Sequence, residues 1–376
     1  MPKNVKYNLQ NKGFMKKKLI SPIFYIALPI YLIISLALER AKVDVAFADR
    51  VNGGISQAVR RFMASLSTSV DFSIFEVLVI SIPPLIILLI FVAARRFKRG
   101  EGRLRLISAL LAIIMLLLSG NTLCLGFGYR TSTLRENLGL EYVEINEDRL
   151  AEALIFTRDE LNSLSEKIDY NENGISIGHD LDTASALICE SFDNLSAEYP
   201  FFDNFDSRAK YVKNGWAMAM LGISGIYTYY TGESNVNSAF PPAETCFTAA
   251  HELSHQRGIM RENEANFMAF LVTSTSHDLY LNYSAYLSMY QYLASALYRT
   301  NKDRYFEIHR DLAEGPRGDI AESNRVVQKH ANTPIADLSA SINDIFLKSN
   351  GTAGIITYGE VVKLTVAYYH DLGIIS

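Results

Sequence analysis

Three long apolar runs fill the first third of the chain and constrain its architecture more than any other feature. They read 19-LISPIFYIALPIYLIISLAL-38, 74-IFEVLVISIPPLIILLIFVAA-94 and 106-LISALLAIIMLLLSGNTLCLGF-127. Each is close to the roughly 20 residues with which a helix crosses about 30 Å of hydrocarbon. Buried helices of a soluble core would not need three such runs with so few charges. Pro22, Pro29, Pro83 and Pro84 fall within the first two. In a membrane, neighbouring groups compensate for the lost backbone hydrogen bond, so kinked spans are expected. Glu76 reads as the interfacial end of the second run.

Basic residues set the orientation. The segment 1–18 carries Lys3, Lys6, Lys12, Lys16, Lys17 and Lys18 without an acid, and the second and third runs are joined by 95-RRFKRGEGRLR-105. Both belong on the cytoplasmic side. The mixed-charge loop 39–73 and everything after the third run then face away from the cytoplasm. No small-residue cleavage site follows the first run, which reads as an uncleaved anchor. The chain divides into a cytoplasmic basic terminus (1–18), a three-helix transmembrane region (19–127) and an extracytoplasmic domain (128–376). Its partner is the lipid bilayer of a multi-pass plasma-membrane protein. A formal net charge of −4 with no basic face gives no footing for nucleic acid.

The outer segment is long enough to bury its own core. Helical spacing runs through Leu150, Leu154, Leu161, Leu164 and Ile168 behind an N-capping Asn146. A second pattern passes through Ala184, Leu187, Phe192 and Leu195, and Pro200 closes it. Ile226, Tyr227, Thr228, Tyr229 and Tyr230 favour a strand. Helices are expected from Pro241–Pro242 to Gly258, from about 262 to 276 and from about 281 to 298. Two or three more follow around a polar connection, 314-EGPRGD-319. Cys124, Cys189 and Cys246 form no CxxC pair. Cys124 reads as a buried hydrophobe. Cys189 and Cys246 read as isolated thiols, with a disulfide between them as the alternative in an oxidising compartment.

The chemistry concentrates in 249-AAHELSHQRGIMRENEANFMAF-270. His251 and His255 are four apart, so on a helix their imidazoles share a face and converge on one small ion. Zn2+ takes neutral imidazole well, and a catalytic zinc keeps three protein ligands and a water. Glu252 lies beside that face, where its carboxylate can accept a proton from the water. Gly258 ends the helix, and the next helix must bring the third ligand. Glu262 and Glu264 both qualify. Being two apart they point to different faces, so they are alternatives.

HExxH followed by E-x-x-A-[D/N] resembles the gluzincin branch of zinc metallopeptidases. Carried onto 262-ENEAN-266, the resemblance implies Glu262 as third ligand and Asn266 as a support behind a ligand histidine, with Asn where Asp is usual. Three spans followed by 231-TGESNVN-237, 251-HELSHQRG-258, 262-ENEANFMAF-270 and 283-YSAYL-287 resemble the DUF3810 proteins, a bacterial membrane family of unknown function. Together the resemblances imply a mainly α chain. Three N-terminal transmembrane helices would precede an α+β, zincin-like domain with a small sheet.

Weaker candidates surround this site. Tyr283 or Tyr286 could donate to an oxyanion, though either also suits packing. Arg257 and Arg261 could bind a substrate carboxylate, but helix-end arginines are usually solvated or paired. Glu233 suits a cleft wall or a turn cap. His179, His277, His309, His330 and His370 lack ligand spacing. The segment 225-GIYTYYTGE-233 could be an edge strand that pairs with substrate, or an interior strand. The expected function is a membrane-anchored zinc metallopeptidase that holds one Zn2+ on His251, His255 and Glu262 or Glu264, with Glu252 as base, and acts on a peptide or protein. The alternatives are a zinc-binding sensor and a zinc hydrolase of a non-peptide envelope amide or ester.

Overall fold

A computed structural model describes residues 20–98, 102–202, 204–330, 334–352 and 359–376; the basic segment 1–18 lies outside them. The apolar runs form helices α1 (Pro22–Ala41), α4 (Ile74–Lys98) and α5 (Arg103–Asn121), the last prolonged to Gly126 by a π-helical turn. Each is long and apolar enough to cross a membrane. Pro22 sits in the first turn of α1, whereas Pro29, Pro83 and Pro84 lie inside helices. Ile33, Leu36, Ile87, Ile90 and Phe91 are exposed on their surfaces, an arrangement suited to lipid.

The segment 39–73 is more ordered than the loop its mixed charge suggested. Two helices, α2 (Val45–Val51) and α3 (Gln57–Thr68), flank a π-helical turn at Asn52–Ser56. Arg60 is fully buried there and donates to Asn52 O, Asn52 Oδ1, Gln57 Oε1 and Cys124 O. Backbone and amide oxygens take up both of its terminal nitrogens while Nε stays without a partner, a packing that composition does not reveal.

Beyond the third span, helix α6 (Leu134–Leu138) opens with a capping box between Thr133 and Glu136. Helices α7 (Glu147–Ser165) and α8 (Leu181–Glu198) follow. The Asn146 and Asp180 side chains cap them by accepting from Arg149 N and Thr183 N. Strand β1 (Ala209–Val212), the short helix α9 (Gly215–Met220) and strands β2 (Gly225–Thr228) and β3 (Glu233–Asn237) come next. The sheet order is β1-β3-β2, with β1 parallel and β2 antiparallel to β3. Every residue of β3 is buried, while β2 is an edge.

Helix α10 (Pro242–Gln256) packs on this sheet and against α8, α11 (Glu262–Ser274) and α12 (Leu279–Thr300). Helices α13 (Lys302–His309), α14 (Glu314–His330), α15 (Pro334–Ser349) and α16 (Glu360–Asp371) complete the described residues. Leu154, Phe192, Leu253, Phe267, Leu293 and Val366 meet in the core. The expected connection 314–319 is instead the start of α14. Pro316 is tolerated because the first turn of a helix has no partners for its N–H groups. Cys189 and Cys246 are buried free thiols.

Glu233 neither lines a cleft nor simply caps a turn. Its carboxylate accepts from Ile74 N at 2.9 Å and Phe75 N at 2.8 Å, so it caps the second apolar helix. Lys210 Nζ pairs with it at 2.7 Å and also donates to Ser67 O and Phe72 O. The sheet and the second apolar helix are thus joined by a buried ion pair.

Candidate metal centre

Local chemistry builds the site. Pro242 occupies the first turn of α10, where its missing N–H costs nothing. At the other end Gly258 takes φ 100°, a backbone region open mainly to glycine. The Gly258 N–H donates to His255 O and the Ile259 N–H to Ser254 O, which satisfies the last carbonyls. The chain reverses over Ile259, Met260 and Arg261, and Glu262 opens α11.

That reversal returns Glu262 to the two histidines. Its carboxylate lies 3.3 Å from His251 Nε2 and 3.7 Å from His255 Nε2. The imidazole rings are 4.6 Å apart between centroids. One ligand atom from each of His251, His255 and Glu262 falls within 4.8 Å of the other two, a spacing that fits one metal ion. His255 Nδ1 bonds Ile259 O at 2.8 Å, which leaves Nε2 to face the cluster. His251 Nδ1 and Asn266 Nδ2 are both buried without a partner. A support from Asn266 to a ligand histidine is therefore not formed in this arrangement.

The structure separates the two candidate acids. Glu264 turns away: its Oε1 accepts from Leu134 N, and both oxygens lie 3.0 Å from Arg261 Nη1. Tyr283 donates to Asp319 Oδ2 at 2.7 Å, and Tyr286 packs edge-on against Phe156 and Phe270. Both tyrosines are tied into the helical core rather than to the histidine–carboxylate cluster. Arg257 is not solvated. It is buried across Phe192 and Phe205 and donates to Asn204 Oδ1 and Phe205 O. Neither it nor Arg261 is free to meet a substrate carboxylate.

Glu252 is buried beside the cluster, with Oε2 unpartnered. Burial pushes its carboxyl above the ordinary range, against the opposing pull of both imidazoles. Burial alone would lower His255, but the Glu262 and Glu252 carboxylates outweigh it and raise the imidazole to about 9. For Glu262, burial acts upward and loses to both histidines, so its carboxyl is held well below its usual value. Glu262 thus lies within ion-pair distance of both imidazoles.

The family model described as a protein of unknown function, DUF3810, matches residues 52–366. The chain belongs to the DUF3810 family. No curated protein and no solved structure matches it. In this DUF3810 protein the matched stretch takes in the sheet, the histidine–carboxylate cluster and the second and third apolar helices.

Two backbone positions that shape the site were not singled out by residue type. Gly225, at the start of β2, lies against α10. A methyl group built there would sit 2.5 Å from both Glu252 Oε1 and Thr248 Cγ2. The Tyr227 N–H, two residues on, hydrogen-bonds the Glu252 carboxylate. A glycine inside a strand pattern was the available signal. Gly225→Ala in the DUF3810 protein should displace the Glu252 side chain, which can move more cheaply than backbone. The expected result is a loosened β2–α10 contact and a loss of about 1–3 kcal/mol of stability, the usual effect of forcing an extra carbon into a packed site. Denaturant unfolding of the purified variant checks this.

Proposed function

We propose that this protein is a zinc-dependent peptidase anchored by three transmembrane helices, with its catalytic domain outside the cytoplasm. The observation that carries the reading is the convergence of His251, His255 and Glu262 beside the buried Glu252. Two imidazoles and one carboxylate are a catalytic zinc donor set that leaves a position open. Bound there, zinc would lower the pKa of a coordinated water and polarise a carbonyl. Glu252 supplies the base. Its raised affinity for protons suits it to take one from the attacking water and return it to the leaving amine. The helix-on-sheet arrangement and the gluzincin-like spacing support a zincin-like domain. The free edge of β2 beside Glu252 supports binding of an extended peptide backbone as an added strand. The lysines of 1–18 and the basic residues of 95–105 support the orientation.

Metal analysis tests the reading together with peptide hydrolysis. The purified protein should carry about one zinc per chain and cleave peptides, and His251→Ala should lose both. Zinc binding should also release protons. The metal requires neutral imidazole, yet His255 holds its proton up to a pH of about 9 in the metal-free protein. Below that pH, zinc and the proton compete, so affinity should rise about tenfold per pH unit and level off above it. Competition against a chromogenic chelator between pH 6 and 10 measures the slope; a flat profile contradicts the ion-paired starting state.

A further inference from the structure

Two separate paths tie the histidine–carboxylate cluster to the outer half of the third span. One runs through β2. Gly225 touches Glu252, and four residues later the Tyr229 hydroxyl donates to Leu117 O in the span at 2.9 Å, with its ring against Gly120. Four strand residues cover only about 13 Å. The other path runs through the turn after α10. His255 is bonded to Ile259, and Gly128, two residues beyond the span, packs so closely on this turn that an added methyl would lie 2.4 Å from Met260 Cγ. A site held on one side by the outer half of the span and on the other by the residues just past it lies within a few residues' reach of lipid.

Apolar side chains of the outer domain are exposed at the same level. Glu76, in the first turn of the second span, accepts from Lys213 N and Asn214 N, which places α9 at that span's mouth. Trp216 on α9 is 61% exposed. On α15, Leu338, Ile342 and Ile345 form one exposed stripe at helical spacing. The adjoining Phe346 packs edge-on against Tyr129, in a cluster shared with Leu125 of the span and Tyr229. The stripe therefore continues a surface that already meets the span, and lipid is the partner that fits an apolar helix face with tryptophan nearby.

We infer that this site takes polypeptides held in the same bilayer, cut within a few residues of the lipid surface, while Trp216 and the Leu338–Ile342–Ile345 face rest in the outer interfacial layer. The inference rests on the peptidase reading and narrows its substrate class.

The full-length zinc-loaded protein in phosphatidylcholine–phosphatidylglycerol vesicles tests it. A fluorogenic peptide library is offered free in solution, or anchored by a palmitoyl chain through spacers of about 6, 12 or 48 residues, lengths that bracket the reach of an extended chain. All anchored forms share the gain from co-localisation, so spacer length isolates the geometry. The expected result is cleavage about tenfold faster with the shortest spacer than with the longest. Equal rates at every spacer length would overturn the inference and leave the peptidase standing. No cleavage of any form would overturn both. Trp216 is the only tryptophan in the chain, so its emission gives a second readout without a variant. Brominated phosphatidylcholine should quench it by about half or more if the ring lies in the interfacial layer. Unquenched emission would overturn the lipid contact.

Discussion

Replacing Glu252 with glutamine is expected to slow peptide hydrolysis by about 10²- to 10⁴-fold, the range associated with a positioned general base, while zinc stays bound. Glu252 is not among the three residues whose ligand atoms converge, so the donor set survives the change. The protein should be no less stable for it. Burial raises the carboxyl above its ordinary value, which means that the folded state disfavours the ionised form. An uncharged isostere removes that cost at neutral pH, and the thermal midpoint should hold or rise. Glutamine can still accept from the Tyr227 N–H, so β2 keeps its contact with α10. Hydrolysis, zinc content and melting measured on one preparation separate the outcomes. Undiminished hydrolysis in Glu252→Gln would show that the proton goes elsewhere and remove Glu252 from the role of base. Loss of zinc together with activity would show that Glu252 serves the metal rather than the proton.

The second large effect is on stability. Glu233→Ala should destabilise the protein by about 3–5 kcal/mol, the usual result of removing one partner from a buried ion pair. Lys210 and Glu233 are almost completely inaccessible to solvent. Loss of the carboxylate leaves an ammonium with only the carbonyls of Ser67 and Phe72, and leaves two N–H groups at the start of α4 without their acceptor. Adding Lys210→Met should recover part of the loss, because an uncompensated buried charge costs more than an apolar side chain of similar size. Denaturant unfolding of both variants in detergent reads the difference. A loss below about 1 kcal/mol would put the pair in the class of exposed salt bridges. Because Glu233 joins β3 to the second span, the destabilised variant should also expose the 210–235 segment to protease before the rest of the domain.

The parts of this protein that were legible in its sequence are those fixed by neighbours along the chain. Apolar length marked the three membrane-length helices, and the capping role of Asn146 followed from a polar residue preceding a helical pattern. The i, i+4 spacing of His251 and His255 placed both imidazoles on one helix face. Other features depended on what lies across the fold. Segment 39–73 looked like a charged loop because burial of Arg60 depends on carbonyls that arrive from Asn52 and Cys124. The sequence 314–319 looked like a connection because Gly and Pro usually weaken helices, yet Pro316 falls in the first turn of α14, where its missing N–H has no partner to lose. Tyr283 had the chemistry of an oxyanion donor, yet Asp319, 36 residues away, takes its hydroxyl.

Three membrane-length helices and a pair of imidazoles beside an acid could be read along the chain, because helical geometry over a few residues is sufficient for both. That Glu262 rather than Glu264 joins them emerges from the folded chain. That choice rests on the left-handed turn at Gly258, which swings α11 back across α10, and on Arg261 and Leu134, which hold Glu264 on the opposite side. A two-residue difference in register is invisible to composition and spacing, but on a helix it rotates a side chain by more than half a turn.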